Sequence, residues 1–473
     1  MSTTPDLCII GAGALGIDLA LYARRLGVDV VLAERDQPEP GDLAQQALRT
    51  ASLAESARRV EDLRRAAEVG LGAVEAKFSA RQIAERASRL VLARGRATSP
   101  EILKARGITL MRGPVSFAEP RAILVGDITI KPRRVLVAIG GTCIIPDIPG
   151  LADTAYFTSD SIIENQRKLT HLLVIGGNAA AFEQAQMQRR LGAEVTLVPQ
   201  GPILAGFDPE CVEVLMAALA DEGVQIRPGA QVVTVNARTQ GVGVEVEGEG
   251  GMRESLDVSH LLVSVGRRAD LVGLSIDKAR LKPGTDPRLP FLRGPLGTTS
   301  SRTIRLAGFA GGQESWSEAQ AHGRAIIDSL FGARRRPLRV PRLVDTEPGM
   351  AQIGPPVERV DRPRAGALIL RENFSENDRA AAMARDRGLV KVAVNGQGQV
   401  QRAAIVGPGA AELAAVLALA MDRKIGLAPL ADLPLPQPSL FSILARLGEN
   451  YLASRPLSPS MRRGKLLRRL WPW

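Results

Sequence analysis

Residues Asp6–Gly16 read DLCIIGAGALG, a short apolar run that opens into three glycines and then into helix-forming residues through Leu26. A run of that length suits a buried strand, and G-x-G-x-x-G spacing marks a strand-to-helix turn. Each glycine answers a separate need. Gly11 permits the tight turn, Gly13 lets the backbone approach a pyrophosphate, and Gly16 lets helix and strand pack closely. The helix start, with Ala14 and Leu15 in its first turn, would offer N–H groups and a partial positive charge to phosphates. A second strand, Val28–Ala33, ends at Glu34, which lies 18 residues past Gly16 (34 − 16). An acid there is placed to accept hydrogen bonds from an adenosine ribose, and Arg35 beside it joins the candidate set.

Further along, the pattern repeats. His171–Ile175 (HLLVI) leads into Gly176-Gly177-Asn178, a helix to Leu191 and another strand, Glu194–Val198. The two loops start 165 residues apart (176 − 11), which indicates a duplicated dinucleotide-binding architecture. Between them, Ala44–Ala97 reads as two helices, and short strands over Ile108–Leu136 lead to the AIGG turn, where Ala138 and Gly140 are candidate cofactor contacts. Val224–Val265 is strand-rich, and a helix follows Ala307-Gly308-Phe309 to about Phe331. The basic, proline-containing stretch Gly332–Arg342 marks a boundary before a C-terminal region.

Composition narrows the class. A chain of 473 residues implies two or three domains, and 45% hydrophobic residues supply their cores. Aromatics at 3% argue against a stacking surface for nucleic acid. Cys8, Cys143 and Cys211 are too few and too scattered for a disulfide framework or a metal site, so a reducing, cytoplasmic compartment is expected. The N-terminus passes directly into the glycine loop without signal-peptide character, and no apolar run is long enough for a membrane span. Part of the net charge of +11 is concentrated in Arg455–Trp473, where apolar residues and two tryptophans accompany the basic side chains. That tail is read as solvated or packed on a partner subunit. Contact with the inner face of a membrane, or with an acidic protein, is the alternative.

The motifs, taken in order, resemble the pyridine nucleotide–disulfide oxidoreductases, which include dihydrolipoamide dehydrogenase and mercuric reductase. GAGALG with Glu34 looks like the family's FAD loop, and Thr158-Ser159-Asp160-Ser161 precedes the second nucleotide strand as it commonly does there. Phe207-Asp208-Pro209-Glu210, Val265-Gly266-Arg267-Arg268 and Ile405-Val406-Gly407-Pro408 also stand where the family has similar strings. The resemblance implies an α/β fold of two Rossmann-like domains, the NAD(P) type inserted in the FAD type, with an α+β dimerisation domain at the C-terminus. On this reading residues 1–150 and 271–336 form the FAD-type domain and 151–270 the NAD(P)-type domain; 337–450 form the dimerisation domain and 451–473 a basic tail. A homodimer is implied, with FAD and NAD or NADP as cofactors.

The family's chemical groups are expected to be missing. Leu43 stands at the first redox cysteine, the stretch around the second is absent, and Gln46 replaces the lysine beside the flavin. The glutamate that pairs with that lysine is kept as Glu183. The C-terminal His and Glu acid–base pair resembles Gln437 and Ser442, neither of which titrates usefully. Without a thiolate, thiol–disulfide chemistry is excluded on this reading. In the second loop, the candidates Gly176, Asn178, Ala181, Glu183 and Gly266 are eroded: Asn178 would crowd a pyrophosphate, though asparagine tolerates positive φ, and Pro199 takes the place of a ribose-selecting charge. Gly308 and Phe309 occupy a third FAD contact, where phenylalanine cannot accept a hydrogen bond; a ring pointing into the channel would bar the cofactor. Two functions compete. One is an FAD-dependent oxidoreductase passing electrons through flavin without a disulfide, to or from a nicotinamide, a quinone or a redox protein. The other is a homodimeric pseudoenzyme that serves as scaffold or regulatory subunit.

Overall fold

A computed structural model describes residues 4–35, 43–72, 74–95, 99–332, 338–357 and 368–455. Packing divides the chain into two units, Met1–Ala205 with Leu219–Val340, and Gly206–Ala218 with Pro341–Trp473.

The first unit is built on strand β1 (Leu7–Ile10), helix α1 (Ala14–Arg25) and strand β2 (Val30–Glu34). β1 lies at the centre of a five-stranded parallel sheet, flanked by β2 and Arg134–Val137, with Thr109–Arg112 and Ile304–Leu306 at the edges. All four residues of β1 are buried, which is why it reads as unbroken apolar sequence rather than an alternation. Leu7 and Ile9 face α1, packing on Leu15, Leu19 and Ala23. Cys8 and Ile10 face the opposite layer, a small antiparallel sheet running from Val115 to Ile130. Because Ile304–Leu306 completes this sheet, the intervening second nucleotide unit is inserted into the first.

That inserted unit has its own parallel sheet. His171–Ile175 pairs with Glu194–Val198 on one side and His260–Val263 on the other, and the helix Ala179–Arg190 follows the glycine loop. Two helices, α2 (Leu43–Arg64) and α3 (Ala80–Gly95), fill the region between the first nucleotide strands and the later ones.

The C-terminal unit is a five-stranded antiparallel sheet, from Arg342–Val344 through Leu368–Asn373, with helices Ala410–Asp422 and Ser442–Ala453 packed into its core. Residues 206–218, which the sequence reading placed in the second nucleotide unit, group here instead. Charge explains the assignment. Asp208 is fully buried, accepts from the backbone N–H of Val357 and pairs with Lys391 Nζ at 3.1 Å, while Glu210 pairs with Arg371 at 2.7 Å. Among the described residues no helix is long and apolar enough to cross a membrane. The basic tail from residue 456 onward lies outside the described residues.

Candidate functional site

A cleft of about 810 Å³ opens at the carboxyl ends of β1, β2 and Arg134–Val137. That is where ligands bind in open α/β sheets, and the size suits a cofactor or a large ligand. The first glycine loop forms one wall. Gly11 has φ +107°, and a Cβ there would stand 2.5 Å from the carbonyl oxygen of Ala138. A Cβ on Gly16 would lie 1.8 Å from the carbonyl oxygen of Gly11, so this position admits only glycine. No side chain caps α1 at Gly13. Glu34 reaches back to the loop, where Oε2 accepts from the backbone N–H of Ala12 at 2.5 Å and Oε1 from that of Arg35 at 2.8 Å. Arg35 in turn holds Asp270 at 2.7 Å.

Of the residues singled out for FAD, Gly11, Gly13, Ala14, Glu34, Arg35, Ala138 and Gly140 all line this cleft. Leu15, Gly16, Gly308 and Phe309 do not line it. Leu15 belongs to the α1 core, and Gly16 supports the loop from beneath. Phe309 is 5% exposed, with its ring against Gly141, where a Cβ would approach to 2.7 Å. The guanidinium of Arg267 covers the ring at 5.4 Å, held there by Asp160 at 2.7 Å and the carbonyl of Gly141. Phe309 is thus a wall behind Gly141 and does not obstruct the cleft.

Gln46 does line the cleft, together with Arg49, Asp160, Glu164, Asp270 and Trp316. Arg49 Nη1 pairs with Glu164 at 2.5 Å. Sequence reading gave Arg49, Glu164 and Trp316 no functional role. Asp160 and Asp270 sit in or beside quoted motifs (TSDS and VGRR), which was the available signal, but their partners Arg267 and Arg35 are set by the fold.

The second loop differs from the first. Gly176 has φ +149° and a Cβ there would meet the Ser264 carbonyl oxygen at 2.0 Å, so the turn is intact. Asn178 is not in a positive-φ conformation, contrary to one expectation; at φ −90° it is the helix N-cap, its Oδ1 accepting from the N–H of Ala181 at 3.0 Å. The side chain therefore occupies a donor that a phosphate would use. Residues 199–204 lie over the loop: Leu204 N–H donates to the carbonyl of Gly177 at 2.7 Å, and a Cβ on Gly177 would be 3.1 Å from the Pro202 carbonyl oxygen. These residues do not present the open, uncapped cradle of the first loop. Gly266 has φ +123° and supports the turn before Arg267, and Glu183 is half-buried and engaged.

Elsewhere the side chains are chemically quiet. Gln437 is exposed, and Ser442 Oγ donates to the Ser439 carbonyl at 2.7 Å while accepting from Asn377 Nδ2 at 2.9 Å. All three cysteines are free thiols. Burial pushes Cys8 up to about 12 and also raises Cys211. Cys143 is half-buried; burial raises its thiol too, despite the opposing pull of Arg267. Leu43 begins α2; the residues that precede it, 36–42, lie outside the described residues. Among the described residues no group of His, Cys, Asp and Glu is arranged for a metal ion.

Comparison with known proteins places these features in context. The pattern of the pyridine nucleotide-disulphide oxidoreductases matches residues 5–289, and that of their dimerisation domain matches residues 340–446. A dihydrolipoyl dehydrogenase of Thermus scotoductus is 28% identical over 458 residues, spanning 94% of this chain and 97% of its own length. A mercuric reductase of Streptomyces lividans is 29% identical over 434 residues, spanning 86% and 88%. The structure of the HOCl-induced flavoprotein disulfide reductase RclA from Escherichia coli superposes with a TM-score of 0.79 at 20% identity, covering 95% of this chain and 100% of that one, a likeness of fold.

Proposed function

Because the chain belongs to the pyridine nucleotide-disulphide oxidoreductase family, which is FAD-dependent with NAD(P) use, we propose that it is an FAD-dependent oxidoreductase working without a redox disulfide. The observation that carries the reading is the first glycine loop opening on the 810 Å³ cleft, in a chain whose three cysteines are free thiols of raised pKa.

FAD, when bound, supplies the electron-transfer chemistry. The chain's own residues would do the rest. The uncapped start of α1 at Gly13–Ala14 would meet the pyrophosphate, and Glu34, already turned to the loop, would accept from the ribose hydroxyls. Gln46 and Arg49 stand on α2 along the same cleft. With Gln46 in place of a lysine and Ser442 in place of an acid, neither side chain moves a proton in the physiological range. The protein's task on this reading is to bind, orient and exclude water. Electrons would then come from a nicotinamide nucleotide, a quinone or a protein carrier directly.

Gentle purification, a visible spectrum and anaerobic addition of NADH and NADPH separately test this. Flavin bands that bleach with a donor support the reading, and alkylation of all accessible thiols should leave the bleaching unchanged. A colourless protein that also fails to take up FAD would overturn it in favour of a scaffold. Loss of bleaching on alkylation would restore a thiol to the mechanism.

A further inference from the structure

One stretch of the cleft wall carries an unmet requirement. Gln46 and Arg49 lie three residues apart on α2, hence on one helix face, and both line the cavity that the glycine loop lines. Gln46 Nε2 and Arg49 Nε are shielded from solvent, and neither has a hydrogen-bond partner among the described residues. Buried donors are nearly always paired in native folds, so two on adjacent turns that also line the cavity are placed to meet an acceptor on a molecule held there. The salt bridge from Arg49 Nη1 to Glu164 fixes where Nε points. Both groups are permanent donors, since an amide does not titrate and a guanidinium stays charged. The charge of Arg49 further favours an oxygen that gains negative charge.

We propose that Gln46 and Arg49 form a donor pair for a carbonyl oxygen, either on the ring of the bound flavin or on a quinone-type molecule that exchanges electrons with it. The inference rests on the FAD reading and names the acceptor chemistry of that same cleft. Acceptor oxygens can meet these donors, whereas an apolar or cationic ligand would leave them unmet.

The test uses the full chain and the variants Gln46→Leu, Arg49→Leu and Glu164→Gln, titrated with FAD and with ADP, and then with menadione as the quinone probe on FAD-loaded protein. Losing a neutral donor should weaken binding about fivefold, and losing a charged one on the order of tenfold or more. If the flavin ring is held, both leucine variants weaken FAD and leave ADP unchanged. If the quinone is held, FAD and ADP are unchanged and menadione weakens. Either result supports the pair. Leucine variants that bind all three probes like the unaltered protein would overturn it, as would a Glu164→Gln variant that reproduces the whole Arg49→Leu loss, because the ion pair alone would then account for the effect. Unaltered protein that binds neither FAD nor ADP would overturn the cofactor reading first and this proposal with it.

Discussion

At Gly16 a single methyl group decides the first loop. Its Cβ would sit 1.8 Å from the Gly11 carbonyl oxygen, a backbone atom that cannot rotate away. Gly16→Ala is therefore expected to lose FAD at purification and to lower the melting temperature, destabilising by about 1–3 kcal/mol or more; absorbance and calorimetry check both. The thiols give a second residue-scale expectation. Cys8, with its pKa near 12, and the buried Cys211 should resist alkylation of native protein at mildly alkaline pH, while Cys143 reacts slowly, as mass spectrometry of labelled peptides would show. A third concerns His322, whose pKa burial lowers, as it also lowers His260. The unfolded chain takes up the proton first, so the contribution is present above the unfolded value of about 6.5 and is lost as pH falls below it. Melting temperature should drop on moving from about pH 7.5 to about pH 5.5, and His322→Gln should shrink that drop. The residues legible in sequence were those whose partners are local in the chain: Gly11, Gly16 and Glu34 follow from one strand–turn–helix unit. The direction of the Phe309 ring stayed open in the sequence because the room for it comes from Gly141, 168 positions earlier (309 − 141).

Between elements, the two strand–loop–helix units test what a cap does. The first helix starts without a side-chain cap and the second with Asn178. Replacing an asparagine cap by glycine costs only a few tenths of a kcal/mol. Asn178→Gly should thus keep the fold while removing the side-chain acceptor from the Ala181 N–H, which keeps only its 3.1 Å bond to the residue 178 carbonyl, and NAD(P)H binding should tighten about threefold to tenfold, measured by fluorescence titration. An unchanged affinity would mean that residues 199–204, lying over Gly177, are the larger barrier. The strands and helices themselves were readable because apolar runs and glycine turns are local signals. The placement of residues 199–204 was not, since it depends on a hydrogen bond between Leu204 and Gly177, 27 positions apart (204 − 177).

For the whole molecule, the C-terminal match to a dimerisation domain predicts a solution mass of twice the 50.4 kDa chain, by light scattering after size exclusion. The duplicated architecture was visible in sequence because two glycine loops announce it, and the added domain because a basic, proline-containing stretch precedes it. What no linear reading separated was membership of the second unit, since a buried ion pair joins Asp208 to Lys391, 183 positions later.

That pair has a practical consequence for anyone cutting the gene. A fragment starting at Pro341 would leave the partly buried Lys391 without the carboxylates of Asp208 and Glu210, and Arg371 without Glu210. Without that segment both cations face water, so the larger loss is the apolar packing of Cys211, Val212 and Leu215, all buried in the whole chain. Such a truncation should emerge insoluble or unfolded by circular dichroism, and supplying residues 206–218 as a separate peptide should restore structure. The C-terminal unit thus draws on residues 206–218 from outside the segment, 340–446, that matches the dimerisation-domain pattern.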